Sequence, residues 1–479
     1  MTRPNRGRLV VHAHFYQPLR VDPFTGEVPP DQGAAPFRDW NSRIDAECYR
    51  PIATRGTLGA MSFDVGPTLA AWLARQSAPS HRGFVAADRV GVTTHGRAMA
   101  QAFHHTILPL ASAADRRTEI RWGIRDFVIR FGRQPEALWL PETAVDLATL
   151  RNVAAEGIRY TILAPWQAAD SQIESRRPYR VELGGGQSII VVFYDAGLSG
   201  AVSFEPAATA DADRFARDRV VTRLAGTPFT DGEPGLVVIA TDGELYGHHQ
   251  PFRDLFLQRL VEPQADVPDR GFDVVDLASA LLDRDVEKLP VARIAERTSW
   301  SCHHGVARWS TECPDAEDGR WKGPLRAAFE RLAGGVDALV GSAFVGLPGT
   351  PDLFAVRDAY VDVVDGVESA EAFAARWLGD DPPSDACDRF LALIEAERWR
   401  LAMFASDGWY WDDPVRTETK AVLRFAARAA RLVDETLGSR LEEALVADLG
   451  LLRSPGTGLD GAEIYRAALS EIGQPEPRT

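Results

Sequence analysis

The chain has 479 residues, 45% of them hydrophobic and 25% charged, which is enough for more than one buried core. Its formal net charge of -15 argues against a nucleic-acid or anionic-membrane partner, because both call for a basic face; a neutral substrate is compatible with it. No stretch approaches the ~20 apolar residues of a membrane span, the N-terminus lacks the apolar region of a signal peptide, and the four cysteines form no CxxC pair, so the expectation is a cytoplasmic protein with reduced thiols.

Short apolar, β-branched runs predict buried strands at Arg8–Val11, Ala137–Leu140, Tyr160–Ala164, Ser188–Phe193 and Leu236–Ala240. Apolar residues at i, i+3 and i+4 predict helices between them: Thr68–Arg75, Ala98–Ala111, Arg116–Phe131, Leu147–Glu156 and Ala210–Leu224. Strands alternating with helices give an α/β class with a parallel sheet. After residue 290 the strand runs fade. Leu325–Leu332, Pro351–Val364, Ala370–Leu378, Asp385–Phe404, Lys420–Glu435 and Arg440–Leu451 read as helices. The expected division is therefore 1–290 and a mainly helical 291–479, ending in a frayed tail at Gln474–Thr479.

Chemistry-bearing residues gather where predicted strands end. In LVVHAHFYQP, the period of two puts His12 and His14 on one side of an extended strand, where they can bind a metal or a polar ligand. In PEALWLPETAVD, Trp139 lies in the strand-like run Ala137–Leu140, which leads into Pro141 and Glu142. In GLVVIATDGELYGHH, Asp242 takes the equivalent place, with Glu244 and His248 just beyond. His95, His104 and His105 cluster between these motifs, and His303 and His304 follow Trp300. Two carboxyls at the ends of two strands of one sheet can converge on one ligand, one attacking and the other delivering a proton.

VHAHFYQP, ALWLPETAVD and ATDGELYGHH resemble, in order, the first, third and fourth signature regions of family 57 glycoside hydrolases, and TTHGRAMAQAFHHTILPLA resembles the region between the first and third. WNSRIDAECYRP, SWSCHHGVARWSTEC and MFASDGWYWDD are similar to a bacterial branch that joins this catalytic domain to a helical domain of unknown function, 3536. The resemblance implies an incomplete parallel (β/α)7 barrel followed by helices that contribute to the active-site cleft. It implies retaining action on α-glucans, by hydrolysis, transfer or branching, with an oligo- or polysaccharide substrate and without a metal or other cofactor. Glu142 matches the nucleophile and Asp242 the general acid/base. His12, His14 and His248 match histidines of the signature regions, and His95, His105, Trp139 and Glu244 join them as expected substrate contacts. In the helical part, Trp300, His304, Arg308, Trp309 and Trp409 are expected to stack on sugar faces or bind hydroxyls, whereas Trp321, Trp377 and Trp399 are assigned to packing. Two positions depart from the pattern: Asp64 stands where Asn is expected, and Arg97 where a small amide is expected.

Two rival readings use the same residues. His12, His14 and Asp242 could hold a metal in a hydrolase or deacetylase. Alternatively, the barrel could be a carbohydrate-binding protein without turnover.

Overall fold

The computed structural model describes residues 6–92, 94–170, 173–225, 229, 233–262, 269–282, 284–379 and 382–471; the tail Gln474–Thr479 lies outside them. The chain forms two compact units, each discontinuous in sequence. One comprises residues 1–17, 34–102 and 127–303; the other comprises 18–33, 103–126 and 304–479. The segments of the two units interleave along the chain.

The strands all belong to the first unit. They are β1 (Gly7–Phe15), β2 (Ser62–Val65), β3 (Ala98–Gln101), β4 (Leu138–Trp139), β5 (Tyr160–Leu163), β6 (Pro178–Gly184), β7 (Gln187–Phe193), β8 (Leu236–Asp242) and β9 (Phe272–Val274). The main sheet runs β4-β3-β2-β1-β8 in parallel, with β9 also parallel to the start of β1. A parallel bridge between Ala137 and Tyr160 carries the curve on to β5, and β7 pairs parallel to β5. Between β7 and β8 a single backbone bond, Asp195 N–H to Val238 O at 2.8 Å, stands in for a ladder. This is the expected incomplete (β/α)7 barrel, with β6 as an antiparallel flap on β7.

The barrel interior is a packed core. Val10, Met99, Trp139, Ile162, Val192, Val238 and Ala240 meet there, drawn from six of its strands. β1 is buried from Leu9 to Phe15, as a parallel strand covered on both faces must be. The period of two puts Val10, His12 and His14 on the interior side and Leu9, Val11, Ala13 and Phe15 on the other.

One expectation fails here. Ala98–Ala111 is not a helix: Ala98–Gln101 is β3, and the rest is turns and a short helical turn at Leu108–Leu110. The helical spacing read there comes from a run in which Ala98, Met99, Ala100, Gln101 and Ala102 are all buried, which is the pattern of a strand enclosed on both faces.

The second unit is helical. Lys322–Val345, Ser384–Ala402 and Thr417–Leu437 are its long helices. The first runs thirteen residues beyond the predicted end at Leu332, through Gly334 and Gly335. A Cβ at Gly335 would come within 2.8 Å of Leu441 Cδ2, so the glycine that hides the helix in the sequence is what lets a neighbour approach. Among the described residues, no helix is long and apolar enough to cross a membrane.

Candidate active site

The site lies in the first unit, at the C-terminal ends of its parallel strands. Register sets its geometry. On β1, His14 stands opposite Asp64 of β2 on one side and opposite Asp242 of β8 on the other. Three titratable groups therefore lie in a row across three adjacent strands, close to 5 Å per strand.

Asp64 binds both histidines of β1. His12 Nε2 is 3.0 Å from Asp64 Oδ1, and His14 Nδ1 is 2.8 Å from Asp64 Oδ2. Gln101 of β3 donates to Oδ2 at 2.9 Å. An ionised carboxylate can only accept, so both facing ring nitrogens carry a hydrogen. Burial resists the charge on Asp64, but His14 and His12 outweigh it and hold the carboxyl below its ordinary range. Burial also works against a charged His14, yet Asp64, supported by Asp242 and Glu244, lifts it to about 9. Burial wins at His12, whose pKa is lowered. The pair is thus one imidazolium and one neutral imidazole. Trp139 stacks on both rings, with centroids 4.8 and 5.0 Å away and planes 17° and 19° apart.

Glu142 follows β4 in a tight turn with φ 55° and ψ 22°, the left-handed region, and Thr143 after it has φ 45°. Non-glycine residues occupy that region only where their surroundings enforce it. Here the surroundings come from the segment before Cys302. Ser301 Oγ–H donates to Glu142 Oε2 at 2.6 Å, Trp300 Nε1–H donates to the same oxygen at 3.2 Å, and Trp300 N–H donates to Glu142 O at 3.1 Å. Burial pushes the Glu142 carboxyl up; the Ser301 bond pulls it down, and the charge of Asp242 adds to the upward push.

Asp242 ends β8. It is accessible to solvent, yet enough protein surrounds it that desolvation raises its carboxyl, against the pull of His14 and His249. Gly243 beside it packs on Phe15: a Cβ there would lie 2.3 Å from the ring, which explains the DG pair. Glu244 is buried and accepts from Tyr49 Oη–H at 2.6 Å and from Tyr16 N–H at 3.3 Å. Burial, with Asp242 adding to it, raises its carboxyl to about 7.

The structure therefore brings His12, His14, Trp139, Glu142, Asp242, Glu244 and Trp300 together. It corrects the roles of two of them. His12 and Trp139 have no exposed surface, so they form the layer beneath the site and cannot touch a sugar directly. Other expected contacts lie elsewhere. His95 precedes β3, at the opposite end of the sheet, where its Nε2 pairs with Ser279 Oγ at 2.9 Å beside Asp276. His248 pairs through Nδ1 with Glu47 Oε2 at 2.5 Å. His105, His304, Arg308, Trp309 and Trp409 belong to the second unit. There His105 Nδ1 meets Ser406 Oγ at 2.6 Å, and Arg308 donates to Tyr410 O at 2.9 Å. Trp309 and Trp409 are fully buried, the latter edge-on to Phe329, so neither has a face to offer a sugar.

Sequence reasoning missed Gln101, Tyr49 and Ser301, and took Asp64 only as a departure from pattern. Ser301 carried a signal, since it adjoins Trp300. Gln101 lay inside the run misread as a helix.

Residues 69–278 match the family described as glycosyl hydrolase family 57, and residues 318–472 match a domain of unknown function, DUF3536. Residues 69–278 are thus a glycosyl hydrolase family 57 domain. No curated protein matches it by sequence. Among solved structures, it is similar to an exo-type maltose-forming amylase from Pyrococcus sp. ST04, at 16% identity and a TM-score of 0.70, over 98% of this chain and 92% of that one. A branching enzyme from Pyrococcus horikoshii matches at 15% identity and a TM-score of 0.63, over 99% and 98% of the two chains. A 4-alpha-glucanotransferase from Thermococcus litoralis matches at 14% identity and a TM-score of 0.56, over 89% of this chain and 60% of that one. At these identities the structural matches speak to the family 57 fold, and the chemistry rests on the residues above.

Proposed function

We propose that this family 57 protein is a retaining α-glucan enzyme in which Glu142 is the nucleophile and Asp242 the general acid/base. The observation that carries the reading is the unequal setting of the two carboxyls. Glu142 Oε2 accepts two hydrogen bonds, from Ser301 and Trp300, which fix its direction and offset part of the upward push of burial, whereas no such bond acts on Asp242 among the described residues. Asp242 is raised by desolvation and stands where solvent and a leaving group can reach it, which suits a proton donor.

Glu142 attacks the anomeric carbon while Asp242 protonates the departing glycosidic oxygen, leaving a glycosyl ester on Glu142. The Asp242 carboxylate then takes a proton from water or from a sugar hydroxyl as that oxygen displaces Glu142. Water gives hydrolysis; a sugar acceptor gives transfer or branching. His14, held as a cation by Asp64, sits in the row beside Asp242 and steadies the negative charge of the pair. The substrate class follows family membership and the names of the similar structures, which include an amylase, a glucanotransferase and a branching enzyme. A cytoplasmic setting fits the four cysteines, all present as thiols.

The metal-hydrolase rival is not favoured, because His12 and His14 both engage Asp64 beneath the surface. The test is product analysis after incubation with maltoheptaose and, separately, amylose. Shorter sugars alone mean hydrolysis, products longer than the input mean transfer, and new α-1,6 linkages mean branching. Tight binding of both glucans without any product would overturn the catalytic reading.

A further inference from the structure

A second cluster of reactive side chains lies away from the carboxyl pair. In the sequence, Cys302-His303-His304 and Cys313-Pro314-Asp315 form a C-x-H and a C-x-D pair separated by eight residues. In the second unit, the donor atoms of His304, Cys313 and Asp315 all lie within 4.8 Å of one another. His304 Nδ1 is 3.9 Å from Cys313 Sγ and 3.1 Å from Asp315 Oδ2. A tetrahedral ion with bonds of about 2.3 Å to sulfur and about 2.0–2.1 Å to nitrogen or oxygen places its ligand atoms roughly 3.3–3.8 Å apart. Two of the three edges therefore already stand close to those of such a tetrahedron, and the third is no longer than 4.8 Å.

An ion pair between His304 and Asp315 accounts for only part of this. Both side chains are 42% exposed, and a pair so solvated holds the loop only weakly. It gives no reason for a third donor of a different kind, the buried Cys313, to face the same ring nitrogen. The mixture is informative: a thiolate with an imidazole and a carboxylate suits zinc and does not suit magnesium or calcium. Partial exposure of His304 and Asp315 gives an ion a way in, while Cys313 anchors the base.

We propose that His304, Cys313 and Asp315 bind a zinc ion that orders this loop. The backbone supports such a role. After the short helical turn Gly305–Trp309 there is no regular element until Lys322, and the segment is held by isolated turn bonds such as Ala316 N–H to Cys313 O at 2.9 Å. An ion that closes this loop orders a stretch that regular hydrogen bonding leaves loose. Binding displaces the thiol proton of Cys313, so affinity falls as pH falls. The site gives His304 a use other than the sugar contact expected from the sequence. It also departs from the expectation of a protein without metal, though it places no metal among the reacting groups.

The test is metal analysis of the full chain, purified without a histidine tag from zinc-supplemented medium. The expected result is about one zinc per chain, with Cys313→Ser and His304→Ala falling to background and Cys387→Ser, outside the cluster, keeping it. Cobalt exchanged into the wild-type protein should show thiolate-to-cobalt charge transfer and the strong visible bands of a tetrahedral site. This readout needs no variant to fold. Less than about a tenth of an equivalent of zinc together with no cobalt charge transfer would overturn the proposal. So would zinc retained in full by Cys313→Ser. None of these readings depends on glucan turnover, so the outcome stands apart from that of the catalytic assignment.

Discussion

His14 Nδ1 and Asp64 Oδ2 lie 2.8 Å apart at facing positions of β1 and β2, both beneath the surface. The carboxylate holds the imidazole as a cation well above its ordinary 6.5, at about 9. A cation whose folded-state pKa exceeds its unfolded value contributes stability that is complete below about pH 6.5 and is lost as pH rises through about 9. Asp64→Asn should return His14 toward neutrality and flatten the fall in melting temperature between those limits. Thermal denaturation from pH 6 to 10, with the His14 ring followed by NMR, measures both. An unchanged His14 titration would refute the pairing.

Glu142→Gln keeps the shape of the side chain and both hydrogen-bond donors, but removes the nucleophile. Turnover should fall on the order of 10⁴-fold or more, with the melting temperature little changed. Asp242→Asn should behave differently. With a substrate whose leaving group needs no proton, the first step survives and a glycosyl-enzyme accumulates, which mass spectrometry detects and azide releases.

Ser301→Ala removes the 2.6 Å bond that pulls the Glu142 carboxyl down against burial. The acid limb of kcat/KM should move to higher pH, and its plateau should fall by about 10- to 100-fold, the cost of one hydrogen bond to a charged group. A pH–rate profile of the variant against wild type separates this from a general loss of fold, which would lower the plateau without moving the limb.

Glu244 gives a stability test of its own. Its carboxyl is raised to about 7 by burial, so between 4.5 and 7 the folded state holds a proton that the unfolded state releases. Stability falls as pH rises through that window. Glu244→Gln can still accept from Tyr49 and carries no charge, so it should melt higher than wild type above pH 7 and show no gain below about pH 4.5. Paired melting curves at pH 4.5 and 8 decide it.

In the second unit, fully buried Arg357 bridges Glu397 and Asp115, each at 3.0 Å. Arg357→Ala leaves two buried carboxylates without that partner and should destabilise by about 3–5 kcal/mol, read from urea unfolding.

The two carboxyls proposed as catalytic were legible because each follows an apolar run, and the end of a strand shows in one dimension. The groups that tune them were not, because they come from other strands. Asp64 reads as a lone departure until β2 is laid beside β1, and Gln101 reads as part of a helix until Ala98–Gln101 is seen as a strand. Trp309 and Trp409 show the converse. Their neighbours on the chain are polar and aromatic, which suggests a binding surface, and only packing against Tyr410 and Phe329 reveals them as core. Local pattern reports where an element ends; partners far along the chain decide what a side chain does.

The interleaving of the two units has a consequence for inheritance. The helical unit takes residues 18–33 and 103–126 from between the strands of the other and the rest from 304 onward. A recombination event that exchanged everything downstream of residue 303 would carry away most of that unit and strand two of its pieces upstream. A fragment beginning at residue 304 would therefore lack residues 18–33 and 103–126 of that unit.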